Sequence, residues 1–164
     1  EQKEADHIVS EAVDWGVNYF DVAPAYGQAQ YILGPALKPY RKSVYLACKT
    51  LKRDAKGSEE QLHESLKALQ TDYFDVYQFH HLDDPDDIKT VFSPSGAMET
   101  MLKAKEQGLI RHIGFTCHGE EAALELLDRF DGFSTVLFPI SWAYWIVKSA
   151  GASCSGKRRP EIWE

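Results

Sequence analysis

The sequence predicts an α/β fold in which parallel strands alternate with helices, and three observations indicate it. Segments with the helical spacing of apolar residues alternate with short apolar runs along the chain. Several of these runs end in a residue whose ionisable side chain can take part in acid–base chemistry, as at Asp21, Lys49 and His80. In a (β/α) barrel, residues from the carboxyl ends of several strands meet at one mouth, so this layout is typical of a barrel active site.

The first two helices are predicted from apolar stripes that end at a helix-breaking residue. One stripe starts at Ile8 and stops at Gly16, and the other runs from Ile32 to Leu37 and stops before Pro39. The residues that follow each stripe predict strands at 17–21 and 43–49.

The later helices carry start or stop signals of their own. Ser58 and Gln61 have the spacing of a capping box, which predicts that a helix begins there. Pro94 suits a first helical turn, and Gly108 and Gly132 suit the ends of the last two helices. The intervening runs predict strands at 73–79, 110–115 and 135–138. Strict alternation of helices and strands favours a parallel sheet. Both an open doubly wound sheet and a barrel have such a sheet, so alternation alone does not separate them. No GxGxxG motif follows a strand, so a Rossmann-type dinucleotide site has no support.

Composition excludes several classes of partner. The chain is 44% hydrophobic and 26% charged, with a formal net charge of -7. This acidity gives no reason to expect nucleic acid or an anionic membrane as a partner, and no apolar run approaches the roughly 20 residues of a membrane span. Cys48, Cys117 and Cys154 form neither a disulfide framework nor a CxxC pair, so we expect a reducing, cytoplasmic setting and no metal site.

Chain length and the predicted architecture disagree. A complete barrel of eight βα units takes about 250 residues, whereas this chain has 164 and begins Glu1-Gln2-Lys3 without an initiator Met. We therefore expect a piece of a longer protein, with a partial barrel over 1–147 and a disordered tail over 148–164. Five strands cannot close an eight-stranded barrel, so open sheet edges are expected to favour self-association.

Strand alternation predicts where the candidate side chains point. Lys49 shares a face with Ala47 and Tyr45, and this face would line the inside of a barrel. His80 and His81 fall on opposite faces, so we do not expect them to act as a pair unless the strand ends at His80.

Four ordered elements resemble the aldo-keto reductases. They are the stretch 18–27, which reads NYFDVAPAYG, then Lys49, the strand 75–80, and the stretch 108–114, which reads GLIRHIG. The resemblance covers roughly residues 4 to 147, and the strands correspond to the second to sixth of the family barrel. It implies an incomplete (β/α)8 TIM-barrel type fold of about five βα units.

The resemblance implies an NAD(P)H-dependent oxidoreductase that reduces aldehydes and ketones to alcohols, with Asp21, Tyr26, Lys49 and His80 as catalytic residues. An isolated tyrosine holds its proton too tightly for rapid exchange at neutral pH, and a nearby buried ammonium stabilises the phenolate. Tyr26 would donate the proton, and Lys49 would supply that ammonium. Asp21 would hold Lys49 in place, and His80 would hydrogen-bond the substrate oxygen or Tyr26.

The resemblance also implies cofactor binding by Asp21, Thr116 and Cys117, with NADPH as the cofactor. The family usually has Ser-Asn at the last two positions and Gln where this chain has Leu137. A thiol cannot replace the paired donor and acceptor of an amide. The basic residues that hold the 2′-phosphate of the cofactor normally lie near the C-terminus of the family, beyond this chain, so the residues present do not predict a preference for NADP over NAD. The stretch 138–145 looks most like the branch that often carries a C-terminal iron–sulfur ferredoxin segment, whose cluster would belong to sequence outside this chain.

Two other functions stay open. A barrel metallohydrolase would use residues near strand ends, although ligands from one strand should be two apart to share a face. Its candidate residues are His80, His81, Asp83, Asp84 and His118. A non-enzymatic, reductase-like protein would bind the cofactor or a partner without turnover, because a fold does not establish an activity.

Overall fold

The computed structural model describes residues 1–140. The helices are α1 (Gln2–Asp14), α2 (Ala29–Leu37), α3 (Ala55–Ala68), α4 (Pro85–Val91), α5 (Ala97–Glu106) and α6 (Glu120–Arg129). The strands are β1 (Tyr19–Asp21), β2 (Tyr45–Thr50), β3 (Phe74–Phe79), β4 (Ile110–Thr116) and β5 (Phe133–Leu137).

The strand order separates the two architectures that the sequence left open. All five strands form one sheet in the order β1-β2-β3-β4-β5, and every neighbouring pair is parallel. A doubly wound sheet reverses its order at a switch point, whereas this sheet adds each strand on the same side of the last. The structure confirms the prediction of an incomplete (β/α)8 barrel.

The two faces of the sheet differ in the way that alternation predicts. Leu46 and Cys48 of β2 are fully buried and belong to the apolar cluster that also contains Leu62 of α3. Lys49 lies on the other face of the same strand, with Ala47 and Tyr45. Full burial of each large apolar side chain stabilises the fold by about 1.5–3 kcal/mol, so the helix-facing side holds the sheet in place.

Three neighbouring strands approach one another closely on the face of the sheet that carries Lys49, which we call the inner face. Gln78, Gly114 and Thr135 lie at matching register positions on β3, β4 and β5. The Gln78 side-chain amide donates to Thr135 Oγ1 at 3.3 Å, and a Cβ at residue 114 would lie only 2.1 Å from that oxygen. Glycine is therefore required at position 114 for this contact to form.

The capping box predicted at Ser58 is wrong. Helix α3 begins earlier, after Asp54, whose carboxylate accepts the Gly57 backbone N–H at 2.8 Å. Ser58 is buried within the helix. Gln61 instead accepts hydrogen bonds from the Thr50 hydroxyl and the Leu51 backbone N–H, at 2.8 and 2.9 Å, and so fixes the end of β2.

Helix α4 was not predicted, because its seven residues are too few to show a helical stripe. Its start carries a clear local signal, since the Asp84 carboxylate accepts the Asp86 backbone N–H at 2.8 Å and Pro85 occupies the first turn. The helix expected from Pro94 begins instead at Ala97.

Several predictions from the carboxyl-terminal part of the sequence lie outside the described residues. They concern the domain boundary at 147, the tail at 148–164, and positions 141–145 of the stretch that indicated the iron–sulfur branch. Within residues 1–140, no helix is long and apolar enough to cross a membrane.

We expect Cys48 to resist alkylation in the folded chain. Burial raises the pKa of its thiol to about 11, and the residue has no exposed surface. Only about a thousandth of such a thiol is the reactive thiolate at pH 8. Iodoacetamide treatment followed by peptide mass spectrometry should find Cys48 unmodified in buffer and modified in guanidinium. Equal modification in both solvents would contradict this account of the core.

We expect the chain to self-associate through its outer strands. Among the described residues, β1 and β5 each pair with one strand only, and such open edges favour pairing with another copy. Val136 of β5 is 44% exposed, so Val136→Lys should lower the mean mass measured by light scattering. Leu102→Lys changes a similarly exposed residue on α5 and should leave that mass unchanged. A monodisperse monomer of the parent chain would show the expectation to be wrong.

Candidate active site

The four residues predicted to be catalytic lie at one edge of the sheet. Asp21 is the last residue of β1, Lys49 precedes the last residue of β2, and His80 follows β3 directly. Parallel pairing in register brings the carboxyl ends of these strands side by side. Tyr26 joins them from the loop between β1 and α2.

Lys49 is fully buried and forms an ion pair with Asp21. Its ammonium donates to Asp21 Oδ1 in a short contact, and its Nζ lies 3.4 Å from the Val22 carbonyl oxygen. Burying an ammonium without a partner is costly, so Asp21 is what allows Lys49 to occupy this position.

Tyr26 is placed against Lys49 and His80 by a tight turn. The Tyr26 backbone N–H donates to the Ala23 carbonyl at 3.0 Å, and the following Gly27 has φ 59°, which glycine adopts at little cost. The Tyr26 ring centroid lies 5.1 Å from Lys49 Nζ and 5.7 Å from the His80 ring centroid, with the two rings nearly perpendicular. Tyr26 is 47% exposed, so its ring borders open space.

The surroundings of His80 favour its neutral form. Burial lowers its pKa, and the positive charge of Lys49 and the proximity of His81 lower it further. The His80 backbone N–H donates to the Thr50 carbonyl at 2.8 Å, which fixes the residue against the end of β2. Its Nδ1 atom is buried and makes no hydrogen bond to the described residues.

Arg53 positions the loop after β3, a role that the sequence reasoning missed. Its guanidinium donates from Nη2 to the carbonyls of His80 and His81, at 2.9 and 3.0 Å. Its Nε donates to Asp87 at 2.8 Å. A loop arginine carries no pattern that could have indicated this contact in advance.

Tyr26, Lys49 and His80 border a cleft that is also lined by residues of β4 and β5. Its volume is about 290 Å³, and it is lined by Tyr26, Lys49, His80, Thr116, Cys117, His118, Leu137, Phe138 and Pro139. The sequence reasoning did not place Phe138 or Pro139 in the site, although their position directly after β5 could have indicated it. Asp21 is not among the lining residues and reaches the cleft through Lys49.

Two of the three residues predicted to bind the cofactor, Thr116 and Cys117, line this cleft with little exposed polar surface. Thr116 is 5% exposed, and its hydroxyl accepts the His81 backbone N–H at 2.8 Å. Cys117 is fully buried in the apolar cluster, and its backbone N–H donates to the Leu137 carbonyl at 3.2 Å. Their predicted contact with the cofactor stays a prediction.

The residues of the metallohydrolase alternative are divided among three places. His80 lines the cleft, and Asp84 caps α4. His81 has φ 52° and turns away from the line of β3, so that it faces Asp83 and His118 rather than His80. The prediction that the adjacent histidines do not act as a pair agrees with this geometry.

Comparisons with known proteins point to one family. The model of the Aldo/keto reductase family matches residues 1–136. Aldo-keto reductase YhdN of Bacillus subtilis is 35% identical over 144 residues, which are 79% of this chain and 40% of that protein. Methylglyoxal reductase DkgA of Salmonella typhimurium is 31% identical over 132 residues, which are 79% of this chain and 46% of that protein.

A solved structure shows the same likeness. The aldo-keto reductase from Klebsiella pneumoniae in complex with NADPH has a TM-score of 0.68 and 27% identity, over 82% of this chain and 48% of that one. The chain thus spans less than half the length of each of these three proteins. The matched family model and the arrangement of strands and strand-end residues lead to one conclusion: this chain belongs to the aldo/keto reductase family.

Proposed function

We propose that this chain carries the carbonyl-reducing site of an NADPH-dependent reductase of aldehydes and ketones, with Tyr26 as the proton donor. One observation carries the proposal. A fully buried lysine, Lys49, is ion-paired to Asp21 and lies 5.1 Å from the centroid of the Tyr26 ring. An ammonium beside a phenol stabilises the phenolate that proton donation leaves, so this neighbour suits Tyr26 as a proton donor.

Reduction of a carbonyl requires a hydride on carbon and a proton on oxygen. NADPH, when bound, supplies the hydride. The Tyr26 hydroxyl gives its proton to the carbonyl oxygen as that oxygen gains negative charge. The Lys49 ammonium then stabilises the phenolate that is left, and Asp21 keeps the ammonium in position.

His80 orients the substrate in this proposal. A neutral imidazole whose Nδ1 is buried without a partner carries its proton best on Nε2, because an unpaired N–H is costly to bury. Such an Nε2–H can donate to the substrate oxygen beside Tyr26. The lowered pKa of His80 keeps this neutral form dominant at neutral pH.

The cleft suits the nicotinamide end of the cofactor. It combines one polar wall, formed by Tyr26 and His80, with an apolar side formed by Leu137 and Phe138. Its volume of about 290 Å³ is too small for a whole dinucleotide, so the remaining part would lie outside it. We also propose that Thr116 and Cys117 contact the cofactor, because both residues line the cleft.

The relatives support the class of ligand. The structure from Klebsiella pneumoniae holds NADPH, and the Salmonella protein is named a methylglyoxal reductase. We therefore propose a small-molecule carbonyl compound as the substrate, and we propose a cytoplasmic setting with residues 1–147 as the reductase domain.

Tyr26→Phe should lower the rate of NADPH-dependent carbonyl reduction by at least about a hundredfold, which is the lower end of what a general acid contributes. Oxidation of NADPH can be followed by absorbance, with methylglyoxal as the first carbonyl compound. The cofactor affinity, measured by fluorescence, should stay largely unchanged because the variant loses only a hydroxyl.

Tyr31→Phe is the matched control, since Tyr31 is 61% exposed on α2 and does not line the cleft. It should turn over like the parent chain. Turnover by Tyr26→Phe at the parent rate would refute the assignment of the proton donor. Saturable NADPH binding by the parent without any turnover would support the non-enzymatic alternative instead.

A further inference from the structure

A second group of ionisable side chains lies at the rim of the cleft, apart from the four residues of the proposed reaction. It consists of His81, Asp83 and His118, and we call it the rim cluster. His81 and Asp83 come from the loop after β3, and His118 comes from the loop between β4 and α6. One potential ligand atom from each side chain lies within 4.8 Å of the other two.

We propose that the rim cluster binds a divalent transition-metal ion of the Zn²⁺ class. Imidazole nitrogens and a carboxylate oxygen are ligands that such ions prefer. Asp83 Oδ2 lies 3.2 Å from His81 Nδ1 and 3.6 Å from His118 Nδ1. Ligands of a tetrahedral zinc ion stand about 3.3–3.4 Å apart, given metal–ligand bonds of about 2.0–2.1 Å.

The central carboxylate is already oriented for such a role. Asp83 Oδ1 accepts the backbone N–H groups of His118 and Gly119 at 2.7 and 2.6 Å. Asp83 Oδ2 is buried, and it faces the Nδ1 atoms of His81 and His118, so the three potential ligand atoms point at one place. Ligating carboxylates are commonly held through their second oxygen in this way.

The two histidines can close around an ion without disturbing the core. Their side chains are 61% and 63% exposed, for His81 and His118, so small rotations bring the two Nδ1 atoms nearer each other. Three protein ligands leave a fourth position open to water or another ligand. Since His118 also lines the cleft, the ion would lie at the rim of the proposed substrate site.

Isothermal titration with Zn²⁺ tests the proposal, using chelator-treated chain in which Cys154→Ser removes the one cysteine that lies outside the described residues. One ion should bind per chain. Asp83→Asn keeps an oxygen that can accept the two backbone N–H groups but removes the charge, and we expect at least tenfold weaker binding. His81→Gln should weaken binding similarly.

His7→Gln is the control, because His7 and Glu11 offer an exposed His–carboxylate pair, 3.8 Å apart, without a third ligand. It should bind Zn²⁺ like the parent. Co²⁺ gives a second readout, since a tetrahedral site shows intense visible absorption, which Asp83→Asn should abolish. Melting curves check that each variant is folded.

The proposal would be overturned if the parent bound Zn²⁺ no more tightly than its Asp83→Asn variant. Unchanged Zn²⁺ affinity in His81→Gln as well would point to the same conclusion. In that case the contacts of the rim cluster would be hydrogen bonds between the loops and nothing more.

Discussion

A buried ammonium needs a countercharge, and this requirement ties together the parts of the site. Lys49 has no exposed surface, and its partner Asp21 comes from the neighbouring strand. Leaving the buried ammonium without its partner would be costly, so the pair fixes the relative position of β1 and β2 where they end. Tyr26 lies beside both His80 and this ammonium, whose position is set by the paired strands.

The sheet itself explains why the site can form in a partial barrel. The catalytic candidates come from three adjacent strands and one connecting loop, so no contact among them requires strands beyond this sheet. The apolar cluster between sheet and helices holds these strands in register from the outside. The inner face is less complete, since Tyr45, at the amino end of the same face as Lys49, is 44% exposed.

Much of this arrangement could be predicted from the sequence, because strand alternation depends on local geometry alone. Alternation gave the inward direction of Lys49, and the strand-end positions of Asp21 and His80 gave their proximity. The role of Arg53 could not be predicted, because its contacts with the loop after β3 depend on how two loops meet. Gln61 was misassigned because its helix-start pattern is short, and its oxygen instead serves the end of β2. The three residues of the rim cluster were among the five candidate metal ligands, but their separation from His80 and Asp84 could not be predicted, since the left-handed backbone of His81 has no sequence signal.

The most direct test of the role of Lys49 is transfer of deuterium from NADPH labelled at C4 to a carbonyl compound, measured by mass spectrometry of the alcohol. Lys49→Met keeps the length and bulk of the side chain but removes the charge. The account predicts label in the alcohol formed by the parent chain and at least about a hundredfold slower transfer in the folded variant. Transfer at the parent rate in Lys49→Met would contradict the account, because the buried ammonium would then have no part in the reaction.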